Sequence, residues 1–292
     1  EPSRRQRQMC IRDSVNIFVL HPDNRVSPVQ RKLMTTGKDK NVFNIAIKGN
    51  FDDCQNLVKS MFADKKFSND IKMSGVNSIN WARIIAQSVY YFYSYSLVED
   101  TSEPTNFSVP TGNFGDVYAG YLAKKMGLPI DKLIVATNQN DILHRAISKG
   151  SYEAEKVSET ISPSMDIQIA SNFERLIFDL NNGDDQQTSL DMKNIKEKGQ
   201  YLINDDKLNK ISENFLSARM SEDETLEVIK NVYEKFAVVL DPHTAIGYGA
   251  FDKHNLKGNN IVLATAHPCK FPGAIQSAIN VKAELPNELT FI

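Results

Sequence analysis

The 292-residue chain has little of what marks several protein classes. Its three cysteines, Cys10, Cys54 and Cys269, are odd in number and widely spaced. They suggest neither a disulfide framework nor a zinc-binding spacing, and a reducing, cytosolic setting fits them. Long apolar runs are missing as well. A stretch such as Phe236-Ala-Val-Val-Leu240 falls far short of the roughly 20 residues that span a bilayer. Charge of one sign is not in surplus: 34 Lys and Arg stand against 36 Asp and Glu, for a net charge of -2. No basic stripe interleaved with aromatics occurs, which argues against nucleic acid or an anionic membrane as partner. Residues 1–14 stand apart, with Arg4, Arg5, Arg7 and Arg12 and almost no apolar residues. Without an apolar core this stretch is no secretory signal, and it reads as a non-native or disordered leader outside the fold.

From Val15 onward, short apolar runs alternate with segments of helical period, the pattern of an α/β protein with parallel sheets flanked by helices. Strands are predicted at 15–20, 42–47, 106–110, 132–136, 236–240 and 261–265. Helices are predicted after Ser27-Pro-Val-Gln30, from near Asp52, over 78–95, over 141–150 and near 273–279. In the 78–95 helix, Ile79, Ala82, Ala86, Val89, Tyr90 and Tyr93 are spaced for an inward face, and Trp81 and Tyr91 read as packing residues too. Residues 170–235 lose the strand signal and read as a charged helical insertion. The expected division is a smaller lobe over 15–100 and a larger one over 101–292.

The most specific local signal is Ser108-Val-Pro-Thr-Gly-Asn-Phe-Gly-Asp116, running into the helical Val117 to Met126. A strand, a glycine-containing turn and a helix start, in that order, present main-chain N–H groups and a helix dipole to an anion such as phosphate. Gly112 and Gly115 permit close approach and unusual dihedrals, and Asn113 tolerates left-handed geometry and can add a side-chain donor. As a bare pattern, a plain strand-to-helix turn explains it equally well.

This phrase resembles the phosphate-gripping loop of threonine synthases, pyridoxal-phosphate enzymes of fold type II. Four further phrases resemble the same family in the same order: Arg25-Val-Ser-Pro-Val-Gln30, Gly75-Val-Asn-Ser-Ile-Asn-Trp-Ala-Arg83, Asp241-Pro-His-Thr-Ala245 and Ala264-Thr-Ala-His-Pro268. Phe51-Asp-Asp-Cys-Gln55 and Ser162-Pro-Ser-Met-Asp166 add minor matches, so the likeness runs from about residue 15 to 292 and points to the longer fungal and bacterial branch.

The resemblance implies that Gly112, Asn113, Phe114, Gly115 and Asp116 surround the phosphate of pyridoxal 5'-phosphate, with Asp116 shaping the loop through its backbone. It implies that the Thr265 hydroxyl bonds the cofactor's ring nitrogen, where otherwise a strand-end threonine would serve as a helix cap. Asn77, Ser78, Asn80 and Arg83 become candidate substrate donors, against the alternative that Ser78 caps a helix and Arg83 is solvated. His243 and His267 read as structural, with no evident carboxylate partner; Arg25 and Lys270 are phosphate contacts or ordinary surface cations. The family's Schiff-base lysine, in a phenylalanine-lysine-aspartate context, does not occur here, and Lys48, Lys124, Lys125 and Lys270 have other surroundings. The chain is therefore expected to be an inactive piece of an enzyme converting O-phospho-L-homoserine and water into L-threonine and phosphate. A related lyase of the same fold, or a lysine-less non-catalytic remnant, are the alternatives.

Overall fold

In a computed structural model of the chain, the described residues are 15–287 without 24, 25, 27, 37, 38, 50 and 76–79; at 28, 30, 33, 51 and 52 the backbone alone is described. The 1–14 leader, Arg25, Ser27, Asn77, Ser78 and Ile79 thus lie outside the described residues.

The chain divides into two compact units, one ending at Ser74 and taking back residues from Glu284, the other covering Gly75–Ala283. In the smaller unit, β1 (Ile17–Pro22) pairs in parallel with β2 (Val42–Ile47), Ile17 opposite Val42. The helices α1 (Pro28–Thr35), α2 (Phe51–Ala63) and α3 (Lys65–Asp70) complete it. Asp64 caps α3 by accepting from Phe67 N at 3.0 Å, satisfying one of the first-turn N–H groups.

The larger unit begins with α4 (Trp81–Ser96) and then winds β3 (Thr105–Pro110), α5 (Gly115–Lys125), β4 (Ile130–Thr137), α6 (Ile142–Lys149) and β5 (Ser151–Glu153). There follow α7 (Phe173–Leu180), α8 (Asp185–Lys198), β6 (Gln200–Leu202), α9 (Asp205–Asn214), β7 (Phe215–Arg219), α10 (Glu222–Phe236), α11 (Pro242–Asp252), β8 (Asn259–Val262) and α12 (Pro272–Ile279). Its main sheet is parallel throughout, in the order β7-β4-β3-β8, so all four strands end at one edge. Strand period sorts the side chains into two layers. Phe107, Val109, Leu133 and Val135 join a core with Tyr91, Val117 and Phe173, whereas Ile134, Ala136 and Ala218 pack with Ile246 and Ala250 of α11. All six residues of β3 are buried, as a central parallel strand requires. β5 and β6 form a separate antiparallel pair.

Four expectations are corrected. The inward face of α4 is Ile84, Ser88 and Tyr91, while Val89, Tyr90 and Tyr93 are 60%, 53% and 64% exposed and Ala82 and Ala86 are exposed too. This helix is apolar nearly all round, so period alone selects no face. Tyr91 decides it: a Cβ at Gly120 of α5 would lie 2.4 Å from the Tyr91 ring, so the missing side chain is the space the tyrosine fills. Packed this way, α4 belongs to the larger unit, not to a lobe over 15–100. Residues 170–235 are not only helical, because β7 within them is a strand of the main sheet. Residues 237–240 form no strand, since Ala237 takes a left-handed conformation (φ 55) that closes α10. Among the described residues no helix is long and apolar enough to cross a membrane.

Candidate functional site

In parallel sheets ligand groups gather outside the carboxyl ends of the strands. Here that edge carries the 111–116 loop after β3, Asn138 to Asn140 after β4, and residues 263–271 after β8. The loop leaves β3 with Thr111 tied down twice: its N–H donates to Ala136 O at 2.8 Å and its hydroxyl to Val109 O at 2.6 Å.

The start of α5 is built to keep N–H groups available. Its first helical bond runs from Tyr118 N to Phe114 O at 3.1 Å, so Gly115, Asp116 and Val117 have no acceptor within the helix. No side chain caps them, although Gly115 and Val117 are buried. The unusual dihedral lies at Phe114, with φ 65, and at neither glycine. A left-handed phenylalanine is held only where its surroundings over-determine it. Its ring is 1% exposed, edge-on to Phe173 at 5.3 Å and against Phe215 at 5.8 Å. Gly112 is needed for close approach, since a Cβ there would stand 2.6 Å from Ser164 O.

Asn113 is held by residues beyond the loop. Its carbonyl accepts from Asn172 N at 3.1 Å, and its side-chain oxygen from Ser171 N and Oγ at 3.4 and 3.3 Å. The amide nitrogen of Asn113 has no hydrogen-bond partner among the described residues and remains a donor. Asp116 receives the Tyr91 hydroxyl on its carbonyl at 2.8 Å and on Oδ1 at 3.3 Å. Burial lifts its carboxyl to about 6, with the Tyr91 hydrogen bond and Arg83 pulling the other way. Burial and the neighbouring Asp116 in turn push the Tyr91 phenol up.

Thr265 lies three residues beyond β8, not within the strand, and is exposed. Ser108 of β3 is opposite Val262 of β8, and Leu263 N donates to Ser108 O at 3.1 Å, so the two chain segments leave the same sheet edge side by side. Of the substrate candidates, Asn80 is the cap of α4: its side-chain oxygen accepts from Ala82 N at 2.9 Å and its amide donates to Gly75 O. Arg83 is exposed but close enough to Asp116 to favour its ionised form. Trp81 is no core residue: it is 44% exposed, with the Arg175 guanidinium 5.0 Å over its ring. Lys124 donates to Asp131 O and Lys125 pairs with Asp179 at 3.2 Å.

The histidines have structural partners, one of them missed in the sequence. His267 Nδ1 accepts from Cys269 N at 3.2 Å. His243, only 3% exposed, has a carboxylate partner after all in Asp241, two residues earlier, with Nδ1 3.0 Å from Oδ1. Burial alone would raise the Asp241 carboxyl, but hydrogen bonds from His243 and Thr244 outweigh it and hold it below the usual range. Sequence reasoning also passed over Asn138, Asn140 and Asp166. The signal was there, in an Asn-x-Asn directly after a buried strand and an acidic residue closing Ser162-Pro-Ser-Met-Asp166.

A family model described as "Threonine synthase, C-terminal" matches residues 244–292. The threonine synthase of Pseudomonas aeruginosa is 48% identical over 268 residues, covering 91% of this chain and 57% of that protein. The X-ray structure of PLP-bound threonine synthase from Brucella melitensis superposes with a TM-score of 0.87 at 48% identity, over 94% of this chain and 59% of that one. Over more than nine tenths of its length the chain is similar to threonine synthases. It spans under three fifths of these threonine synthases' length. A pyridoxal 5'-phosphate-dependent aspartate racemase, with a TM-score of 0.59 at 12% identity, is alike in fold alone. The fold is that of the fold-type-II pyridoxal-phosphate enzymes, parallel sheets flanked by helices.

Proposed function

We propose that this chain contributes the phosphate loop and the ring-facing threonine of an enzyme that turns O-phospho-L-homoserine and water into L-threonine and phosphate. The observation that carries this reading is the start of α5, where three N–H groups lack a helical acceptor beside a glycine that cannot hold a Cβ. Those features fit pyridoxal 5'-phosphate. Gly115, Asp116 and Val117 would donate to its phosphate through their main chain, and Asn113 through its amide. The Thr265 hydroxyl would meet the ring nitrogen as a neutral partner, leaving that nitrogen unprotonated. When bound, the cofactor supplies an electron sink for bonds broken next to the amino-acid α-carbon.

The chain's own residues bind and orient. Arg83 offers a planar fork for a substrate carboxylate or phosphate. Phe114 closes the floor of the loop with an apolar ring that excludes water. The phenylalanine-lysine-aspartate phrase is absent from the 292 residues, so the anchoring lysine is assigned to the part of the relatives' length that this chain does not span. The 292 residues alone are then expected to bind phosphate-bearing ligands without turnover. Buried, unpaired Cys54 and Cys269 support the cytosolic setting. The test is phosphate release from phosphohomoserine by a longer form that carries such a lysine. Release lost on changing Thr265 supports the reading, and no release from the unchanged longer form refutes it.

A further inference from the structure

The turn at 162–166 faces the phosphate loop and is gripped from two directions. On one side stands Asp241, 1% exposed, which caps α11 by accepting from His243 N at 2.9 Å and from the Thr244 hydroxyl. Its Oδ1 also lies 3.0 Å from His243 Nδ1. A carboxylate so placed calls for the proton on Nδ1, which leaves Nε2 as an acceptor. Ser164 N donates to that Nε2 at 3.3 Å. The ring is fixed further by Phe271, 4.8 Å away. On the other side, Asp166 Oδ1 accepts from Asn138 Nδ2 at 2.8 Å, Asn140 Nδ2 at 2.9 Å and Thr160 Oγ1 at 2.6 Å, and its Oδ2 accepts from Thr160 N at 2.8 Å.

Both grips act on the same short turn. With its N–H on His243, Ser164 turns its carbonyl to Gly112, 2.6 Å from where a Cβ would stand, with Met165 Cα at 3.5 Å. The turn therefore sets how far the loop main chain can move. It does so without aiming a charge at the anion, because both carboxylates are occupied by donors on their own side.

We propose that His243 is a positioning residue: through Ser164 it fixes the main chain at Gly112, and so the aim of the anion-binding N–H groups, with Asp166 bracing the far end of the same turn. The inference rests on the reading of 112–117 as a phosphate loop. It gives His243 no part in proton transfer and gives the Asp-Pro-His-Thr phrase a role in cofactor affinity.

The test uses the whole 292-residue chain, two variants and two readouts. In H243Q the side-chain oxygen reaches where Nε2 was and can still accept from Ser164 N. In H243N the amide replaces Nδ1 and the acceptor for Ser164 is lost. Affinity for inorganic phosphate and for pyridoxal 5'-phosphate is measured by phosphorus-31 NMR titration, and the Gly112 amide resonance is followed in the ligand-free protein. H243N is expected to weaken both ligands roughly tenfold, what one positioned hydrogen bond is worth, and to shift the Gly112 resonance. H243Q is expected to keep both near the parent values. Equal affinities and an unmoved Gly112 resonance in the two variants overturn the proposal. If H243N does not fold, D166N takes its place with the same expectation and the same refutation. Failure of the unchanged chain to bind either ligand overturns instead the reading of the loop itself, a different result from the one that isolates His243.

Discussion

Gly112→Ala puts the argument about close approach at risk most simply. The added Cβ would sit 2.6 Å from Ser164 O, with Met165 Cα and Ser164 C both at 3.5 Å. The obstacle is main chain, and the hydrogen bonds of Ser164 and Asp166 hold it in place. Reaching ordinary contact requires the loop and the turn to part by about 0.8 Å, at a cost in the overpacking range of about 1–3 kcal/mol. At roughly 2–4 °C per kcal/mol for a unit of this size, the midpoint of thermal unfolding followed by circular dichroism should drop by about 2–12 °C. The same displacement misdirects the N–H groups at the start of α5, so phosphate affinity should fall at least tenfold. Gly273→Ala is the control, for nothing lies within 4 Å of its Cβ and Ala suits a helix better than Gly. It should leave stability equal or slightly raised. If G112A melts with the parent and binds phosphate as tightly, the tight seating of the loop on the 162–166 turn is wrong.

Phe114 should reverse the usual order of glycine and alanine. F114A loses a buried ring and keeps a Cβ at φ 65, for about 3–5 kcal/mol, whereas F114G should be about 1 kcal/mol less damaging in denaturant titrations. Equal losses would remove the argument for strain. Asp116 predicts a pH effect. Its folded value of about 6 lies above the ordinary 3.8, so the folded state binds more protons between the two, and stability falls as pH rises through that window. D116N should thus be more stable than the parent at pH 7.5, by about 1–2 kcal/mol after allowing for partial exposure, and equal to it near pH 3.5; a constant difference would contradict the assignment. Thr265→Val should leave the melting temperature within about 1 °C, since the residue is exposed, yet change the absorption spectrum of bound pyridoxal 5'-phosphate. An unchanged spectrum would remove Thr265 from the site.

What the sequence disclosed was local. The strand, turn and helix order around Gly112 depends on neighbours in the chain, and it stood where expected. Requirements set by distant residues were not legible. A glycine is the natural guess for a left-handed residue, but Phe114 takes that place because Phe173 and Phe215 trap its ring. The face of α4 was misjudged because its apolar residues surround the helix and only Gly120, far along the chain, selects Tyr91. β7 was missed as five residues between charged helices, a strand by virtue of β4 beside it. Asp241 as the partner of His243 follows from a helix cap, where residues two apart meet although they would not on a helix face.

The central claim is that the start of α5 and Thr265 frame one ligand between them. Its most direct measurement is a crystal structure of the chain soaked with pyridoxal 5'-phosphate. The account requires the phosphate within hydrogen-bonding reach of the Gly115 and Asp116 N–H groups and the ring nitrogen facing the Thr265 hydroxyl. A phosphate bound elsewhere, or a Thr265 turned away from the ring, would contradict it.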